Sequence, residues 1–308
     1  MNRFLKIIGA TFAVAVAATS CDSITDSDDT GTVDLSTMDF ALTVNLSEDQ
    51  KLSSGYSTGT IEGTYDLRVV VELRNSESAS IVADREVLYI SESSLTSSSS
   101  VVANLSIVPG EYDALVWCDY VATAEKESEY RSLAYEPADL RGVTITTDTH
   151  AVESNVLRRA FAGKKIVDLT EYEGTLRGTA EDEIDVVSVV GGYVLTTTST
   201  ISTYASKVTY TSMPSSFNVS TGEVNATKAS AAYKPTAVEV SGTNILGFDY
   251  ILMDDQSRSL NDVSSTKIDL TVNTYNSYGV SDQVYSVSNL EVFTDQSGTN
   301  IATGSVKN

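Results

Sequence analysis

The chain is 308 residues long, with 42 acidic against 20 basic side chains, a formal net charge of −22, one histidine and two cysteines. Beyond the first few residues there is no Lys/Arg stripe, which argues against nucleic acid and anionic lipid headgroups as partners, since both need clustered positive charge. So few histidines and cysteines argue against a zinc site, and the acid excess reads as a solubilising surface.

In chain order, the first segment carries a compact signal. Arg3 and Lys6 make a basic start, and Ile7 to Ala18 form an apolar stretch. A membrane-spanning helix needs about 20 apolar residues, so this stretch is too short to span and fits a secretory leader. It closes on Ala18, Thr19 and Ser20, followed by Cys21. Small residues let the chain lie extended in a peptidase groove, and the Cys21 thiol supplies the nucleophile for lipid transfer. The expectation is a lipoprotein signal peptide over residues 1–20 and a lipid anchor on Cys21, the only anchor, because no second apolar segment reaches membrane length. Residues 21–36 are polar, acidic and free of aromatics, and so are expected to form a disordered tether. With Cys21 acylated, Cys118 has no cysteine partner and no intrachain disulfide is expected.

From residue 37 onward period-two alternation replaces helical spacing. It runs through Asp39 to Leu46, Tyr65 to Leu73, Val101 to Val108, Val208 to Thr211 and Lys267 to Tyr275, where Ile268, Leu270 and Val272 share a face. Such alternation puts one face on a core and the other in water, as antiparallel sheets allow. Turn clusters at residues 75–78, 97–100 and 220–223 separate the runs. The expected class is all-β, built as sandwiches. Residues 128–140 read as a loop or short helix, 155–162 as one or two helical turns, and 144–149 as a strand edge. The acidic stretch 178–185 places a boundary between an N-terminal sandwich, 37–180, and a C-terminal one, 181–308. No repeat of 20 to 50 residues points to a solenoid.

Catalytic chemistry finds little footing. A Ser-His-Asp triad would depend on His150 alone, and no Gly-x-Ser-x-Gly elbow supplies the serine. Carboxylates at Glu181, Asp182, Glu183, Asp185, Asp254 and Asp255 lack the alternate spacing of a calcium loop and read as solvated turns. Gly191-Gly192 reads as a bulge or bend, and Arg158-Arg159 as a protease-sensitive pair if exposed. The expectation is no enzyme, no cofactor and no metal.

The stretch Pro109 to Val121, with Gly110, Tyr112, Trp117, Asp119, Tyr120 and Val121, resembles a signature of the fimbrillin-like (FimA/Mfa-type) surface lipoproteins of anaerobic diderm bacteria; Cys118 stands where that family has Ala. Tyr135, Asp139-Leu140 and Arg159-Ala-Phe161-Ala-Gly163 are similar to its next stations. Pro214, Phe217, Asn218 and Gly222 match its "Pro-x-x-Phe-Asn-Val-x-Thr-Gly" segment, and Asn300 to Gly304 its last strand. Where the family opens its second domain with an Arg-Pro pair, this chain has Val187 to Gly192. The resemblance spans roughly residues 60–304. It implies two tandem transthyretin-like, Greek-key β-sandwiches.

The motif residues are structural words. Tyr112 and Trp117 suit sandwich corners and cores. Asp119, beside buried aromatics, needs partners and is expected to cap the 128–140 loop. Arg159 is expected to precede a buried Phe161.

Subunits of the family polymerise by strand addition after a protease removes the first strand behind a basic residue. Here the candidate strand is Asp39 to Leu46 and the candidate processing residue is Lys51. With little chain beyond the last strand to serve as a donor, an uncleaved, lipid-anchored accessory or base subunit fits better. The expected role is a cell-surface, outer-membrane-anchored structural or adhesive protein whose partners are pilus subunits or a host or microbial ligand. The runner-up is a carbohydrate-binding lipoprotein of a glycan-uptake system, its exposed aromatics forming a platform. The acidic run behind Cys21 resembles an export signal to the outer face of the outer membrane.

Overall fold

Valine, isoleucine, threonine and tyrosine suit a pleated surface, and their alternation with polar residues commits successive side chains to opposite faces. The computed structural model describes residues 37–52, 64–78, 80–123, 131–132, 134–146, 155–173, 179–197, 205–225, 232–233, 238–240, 243–254, 265–276, 278–293 and 301–305. The chain divides into two units, Met1–Leu35 and Ser36–Asn308. The first lies outside the described residues, as do Ala18, Thr19, Ser20, Cys21, the tether and His150.

The first strands are β1 (Met38–Asn45), β2 (Tyr65–Asn75), β3 (Val82–Ser91), β4 (Ser100–Ile107) and β5 (Glu111–Ala122). Then come β6 (Arg131–Ser132), β7 (Tyr135–Glu136), β8 (Val143–Ile145), β9 (Phe161–Asp168), β10 (Thr179–Asp185), β11 (Val187–Ser188) and β12 (Val190–Thr197). The rest are β13 (Ala205–Ser212), β14 (Ser216–Asn218), β15 (Glu223–Asn225), β16 (Ala232–Tyr233), β17 (Val238–Val240), β18 (Thr243–Leu252), β19 (Ser265–Tyr275), β20 (Ser281–Phe293) and β21 (Ile301–Ser305). Among the described residues the helical segments are short 3-10 turns at Glu48–Gln50, Glu92–Ser94, Asn155–Arg158 and Thr170–Tyr172. The chain is all-β, of sandwich type.

The strands join into sheets ordered β10-β1-β4, β11-β9-β5-β2-β3 with β6 on β5, β17-β18-β12-β21, β16-β13-β19-β20, and β15-β14-β8-β7. The β2–β5 sheet is the middle layer, because both of its faces are buried. Leu67, Val69, Val71 and Leu73 of β2, with Tyr112, Ala114, Val116 and Tyr120 of β5, share one core with β1 and β4. Val70, Leu115 and Trp117 on the opposite face belong to a second core, shared with Tyr193, Tyr210, Ile251, Leu270 and Val272. In β19 the alternation is as expected, with Ile268, Leu270 and Val272 all buried.

The packing revises several local expectations. The alternate face of β2, expected in water, carries Arg68, Glu72 and Arg74, at most 9% exposed. The acidic stretch ending at Asp185 is not a turn: Thr179 to Asp185 lie parallel to β1 over seven register pairs, and the boundary drawn at 180–181 falls inside β10. Gly191 and Gly192 pair regularly with Ile251 and Tyr250, and the irregularity of that ladder sits at Leu195/Thr196. Of residues 155–162, only Asn155–Arg158 turn helically before β9 begins at Phe161.

Candidate functional site: the first strand and the arginine-laced junction

β1 lies between two strands, antiparallel to β4 and parallel to β10. Its inward side chains Met38, Phe40, Leu42 and Val44, with Leu46 just beyond, are at most 4% exposed. All five are apolar, and they meet Leu105, Ile107, Ala180 and Ile184 across the sheet and core. Fully burying such a side chain stabilises by about 1.5–3 kcal/mol, so the row contributes on the order of 10 kcal/mol as an upper estimate. Lys51 ends the turn after β1, its side chain 37% exposed and ion-paired with Glu48 (3.2 Å).

On the other face of the middle sheet charges replace methyl groups. Arg68 and Asp119 are direct cross-strand partners on β2 and β5. They form a two-pronged pair, Nε to Oδ1 at 2.8 Å and Nη2 to Oδ2 at 2.6 Å. Arg68 also donates to the Tyr135 carbonyl (3.1 Å). Asp119 itself accepts from Arg68, and it is Arg68 that bonds the 128–140 region. Burial raises its carboxyl above the usual range of 3.8 despite the guanidinium beside it.

The neighbouring charges extend the pattern. Glu72 accepts from Arg74 (2.6 Å) and Arg85 (2.8 Å), Arg74 donates to Asp139 (2.7 Å), and Arg85 donates to the carbonyls of Pro137 and Ala138 (2.5 Å each). Every one of these bonds ties residues 135–139 down onto β2, β3 or β5, or links the side chains that do so. The reason lies in the loop itself: a segment laid over a sheet leaves carbonyls without ladder partners, and buried carbonyls must be met by donors.

A second network lies nearby. Arg158 Nε meets Asp249 Oδ1 at 2.8 Å, with both side chains 1% exposed. The Tyr210 hydroxyl donates to Asp249 Oδ2 (2.6 Å) and is also hydrogen-bonded to the Tyr193 hydroxyl. The Tyr135 hydroxyl donates to the Arg158 carbonyl (2.7 Å). Asp249 too is held above its usual range by burial, with Arg158 opposing. Arg158, so enclosed, offers no exposed dibasic cleavage site.

The motif residues from distant stretches meet here. Trp117 packs edge-on against Tyr135 (centroids 5.3 Å) and tilted against Phe217 (6.0 Å). Phe217 reaches it because β14 pairs with β8, Phe217 opposite Val143. Pro214 is buried just ahead of β14. Asn218 caps the following turn, its Oδ1 accepting from Ser220 N–H (2.9 Å) and Thr221 N–H (3.2 Å), while Gly222 takes a positive φ of 73°. The Tyr112 hydroxyl donates back to the Val108 carbonyl, a tyrosine corner, and Gly110 sits under its ring. Tyr120 faces the first-strand core and its hydroxyl donates to the Gln50 carbonyl. Phe161, 4% exposed, lies beneath the Arg159 guanidinium (5.4 Å). A Cβ at Gly163 would stand 2.5 Å from the Asp185 carbonyl oxygen, so only glycine lets β9 approach the end of β10.

Sequence reasoning missed Arg68, Glu72, Arg74, Arg85, Arg158, Tyr193, Tyr210 and Asp249 as a set. The available signal was charged residues at even positions within an apolar strand, among them 68, 72 and 74.

A seated first strand and a doubly buried middle sheet define an all-β, sandwich-type protein. The chain belongs to a family of unknown function (DUF6562), whose pattern matches residues 30–292. No curated protein matches it significantly. Among solved structures it is similar to a putative adhesin from Bacteroides ovatus, with 8% identity and a TM-score of 0.46 over 87% of this chain and 88% of that one. It is also similar to the fimbrial anchor protein Mfa2 from Porphyromonas gingivalis, with 11% identity and a TM-score of 0.45 over 82% and 83%. Putative polysaccharide binding proteins from Bacteroides thetaiotaomicron follow, at 9% identity and a TM-score of 0.41 over 79% and 78%.

Proposed function

We propose that the protein is a non-enzymatic cell-surface lipoprotein, anchored to the outer membrane through Cys21, that serves as a structural or adhesive pilus-associated subunit of the fimbrillin type. The seat of β1 carries this reading. The first described strand follows the expected tether, is hydrogen-bonded on both edges, and presents only apolar side chains to its core. Such a strand is of the kind that another chain's strand can replace, since backbone bonds supply affinity and alternate side chains fill pockets. The buried carboxylates support a structural reading, because Asp119, Glu72 and Asp249 are each engaged by an arginine. Two sandwich domains remain the proposed division, with the boundary moved from 180–181 to beyond β10, which pairs with β1, and the middle sheet between the two cores. A glycan platform would need clustered exposed aromatics; among the described residues the exposed aromatic is Tyr278, at the tip of the β19–β20 hairpin.

The test is mass spectrometry of the protein from intact cells, before and after surface protease shaving. A diacylated or triacylated N-terminus on Cys21, in a whole chain removed by shaving, is the expected result. An unlipidated chain, or one untouched by shaving, overturns the surface-lipoprotein reading. An N-terminus at Leu52 in sheared high-molecular-weight material would make it a polymerising subunit rather than an anchored one.

A further inference from the structure

The turn after β1 is bonded from several directions. Ser47 N–H donates to Gln50 Oε1 (2.9 Å) and Lys51 N–H to the Glu48 carbonyl (3.0 Å), which closes the 3-10 turn. Gln50 is 2% exposed, and its carbonyl accepts from the Tyr120 hydroxyl. The next peptide is held at both ends. The Lys51 carbonyl accepts from Arg159 Nη1 (2.8 Å), and Leu52 N–H donates to Glu92 Oε2 (3.0 Å). Arg159 is steadied by its place over the Phe161 ring. The Lys51 side chain, by contrast, is partly in solvent beside Glu48. A basic side chain is on offer while the bond behind it is occupied.

Proteases that cut after lysine take their substrate as an extended strand and draw the scissile carbonyl oxygen into an oxyanion hole. Hydrolysis adds the hydroxyl of water to the Lys51 carbonyl carbon and a proton to the Leu52 nitrogen as the C–N bond breaks. The Lys51 oxygen cannot enter an oxyanion hole while Arg159 holds it, and the Leu52 nitrogen cannot be turned while its N–H is hydrogen-bonded to Glu92. We infer that Arg159 and Glu92 form a clasp that keeps the Lys51–Leu52 peptide shut to hydrolysis in the folded chain, so that β1 stays seated until the clasp opens. This rests on the reading of β1 as an exchangeable strand, and it makes the subunit latent: cleavage requires a partner or a force that first pulls the turn away from Arg159.

The experiment is limited trypsin digestion of the purified full chain, following by mass the fragment that begins at Leu52 and, as an internal reference, cleavage after Lys267 in β19. The native chain is expected to be cut after Lys51 far more slowly than the same chain in urea. Arg159→Gln and Glu92→Ala should each speed that cut about tenfold, the factor for losing one charge-assisted hydrogen bond, with cleavage after Lys267 unchanged. The inference is overturned if the native chain is cut after Lys51 as fast as the unfolded one, if both variants are cut at the native rate, or if Lys51 and Lys267 accelerate in the same proportion. A whole, lipidated, shaveable protein with no clasp effect would sink the clasp and leave the surface-lipoprotein reading standing; a strong clasp effect in a protein without lipid would do the reverse.

Discussion

The seat of β1 and the junction under residues 134–145 both exclude water, and they do so by opposite means. β1 turns Met38, Phe40, Leu42, Val44 and Leu46 inward with no charge among them. The junction face of β2 and β5 carries Arg68, Glu72, Arg74 and Asp119, every one buried and paired. Removing an apolar strand exposes hydrocarbon, which a second apolar strand can cover again. Removing any partner from the junction leaves a charge stranded in a low-dielectric interior, which nothing but its own counterpart can repair. The difference is what suits β1 to the proposed strand exchange and the junction to a fixed structural role.

The sharpest way to break that contrast is at the junction. Asp119→Ala leaves Arg68 buried beside a void, and a loss of about 3–5 kcal/mol in urea unfolding is expected. The paired replacement Arg68→Met with Asp119→Leu should recover most of it; if the double variant is as unstable as the single one, the pair is not the source of the cost. In the seat, Leu42→Ala removes buried methyl groups at about 2–5 kcal/mol, near the lower end if the sheet collapses onto the gap. Amide exchange should show this loss concentrated in β1, β4 and β10. Exchange that quickens equally in β2 and β5 would deny the seat any independence. Gly163→Ala pushes a methyl onto the Asp185 carbonyl and should cost about 1–3 kcal/mol, measured as a lowered Tm; an unchanged Tm would mean β10 shifts freely.

The smallest effects separate the two kinds of carboxylate by pH. Asp139 is held below its ordinary value of 3.8, as hydrogen bonds from Arg141 and the charge of Arg74 outweigh partial burial. Its contribution is therefore present above pH 3.8 and lost as pH falls through the folded value. Being half exposed, it is worth about 0.2–1 kcal/mol. Asp139→Asn should lower stability at neutral pH by that amount, and the gap to the native chain should close in strong acid. Asp119 runs the other way. Its folded value is raised, so its proton-linked term weakens the fold as pH rises from 3.8 through that value. A gap for Asp139→Asn that widens on acidification would contradict the assignment.

Much of the seat was legible in the residues. The run from Asp39 to Leu46 alternates cleanly, and alternation of that quality admits one register with its apolar set inward. The same logic misjudged β2, because charged residues at 68, 72 and 74 look identical from the sequence whether water or an arginine lies above them. Their cover comes from residues 134–143, more than 60 positions later, and no local pattern announces that approach. β10 was opaque for a different reason: Glu181, Asp182, Glu183 and Asp185 are poor strand formers, and only pairing with β1 and the contact of Lys165 with Asp182 make them one. The resemblance brought Trp117, Tyr135 and Phe217 into view, but not that they would touch.

The ladder around β1 has a direction as well as a shape. On one side it matches a parallel neighbour, Asp39 opposite Thr179 through Asn45 opposite Asp185, and on the other an antiparallel one, Met38 opposite Ile107 through Asn45 opposite Ser100. The native strand thus makes slanted bonds on its β10 edge and perpendicular bonds on its β4 edge. β1 itself runs from the Thr179 end toward the Asp185 end. In the proposed strand exchange each junction would pair one molecule's donated strand with the next molecule's slot, a head-to-tail contact that would give a chain of such molecules a front and a back.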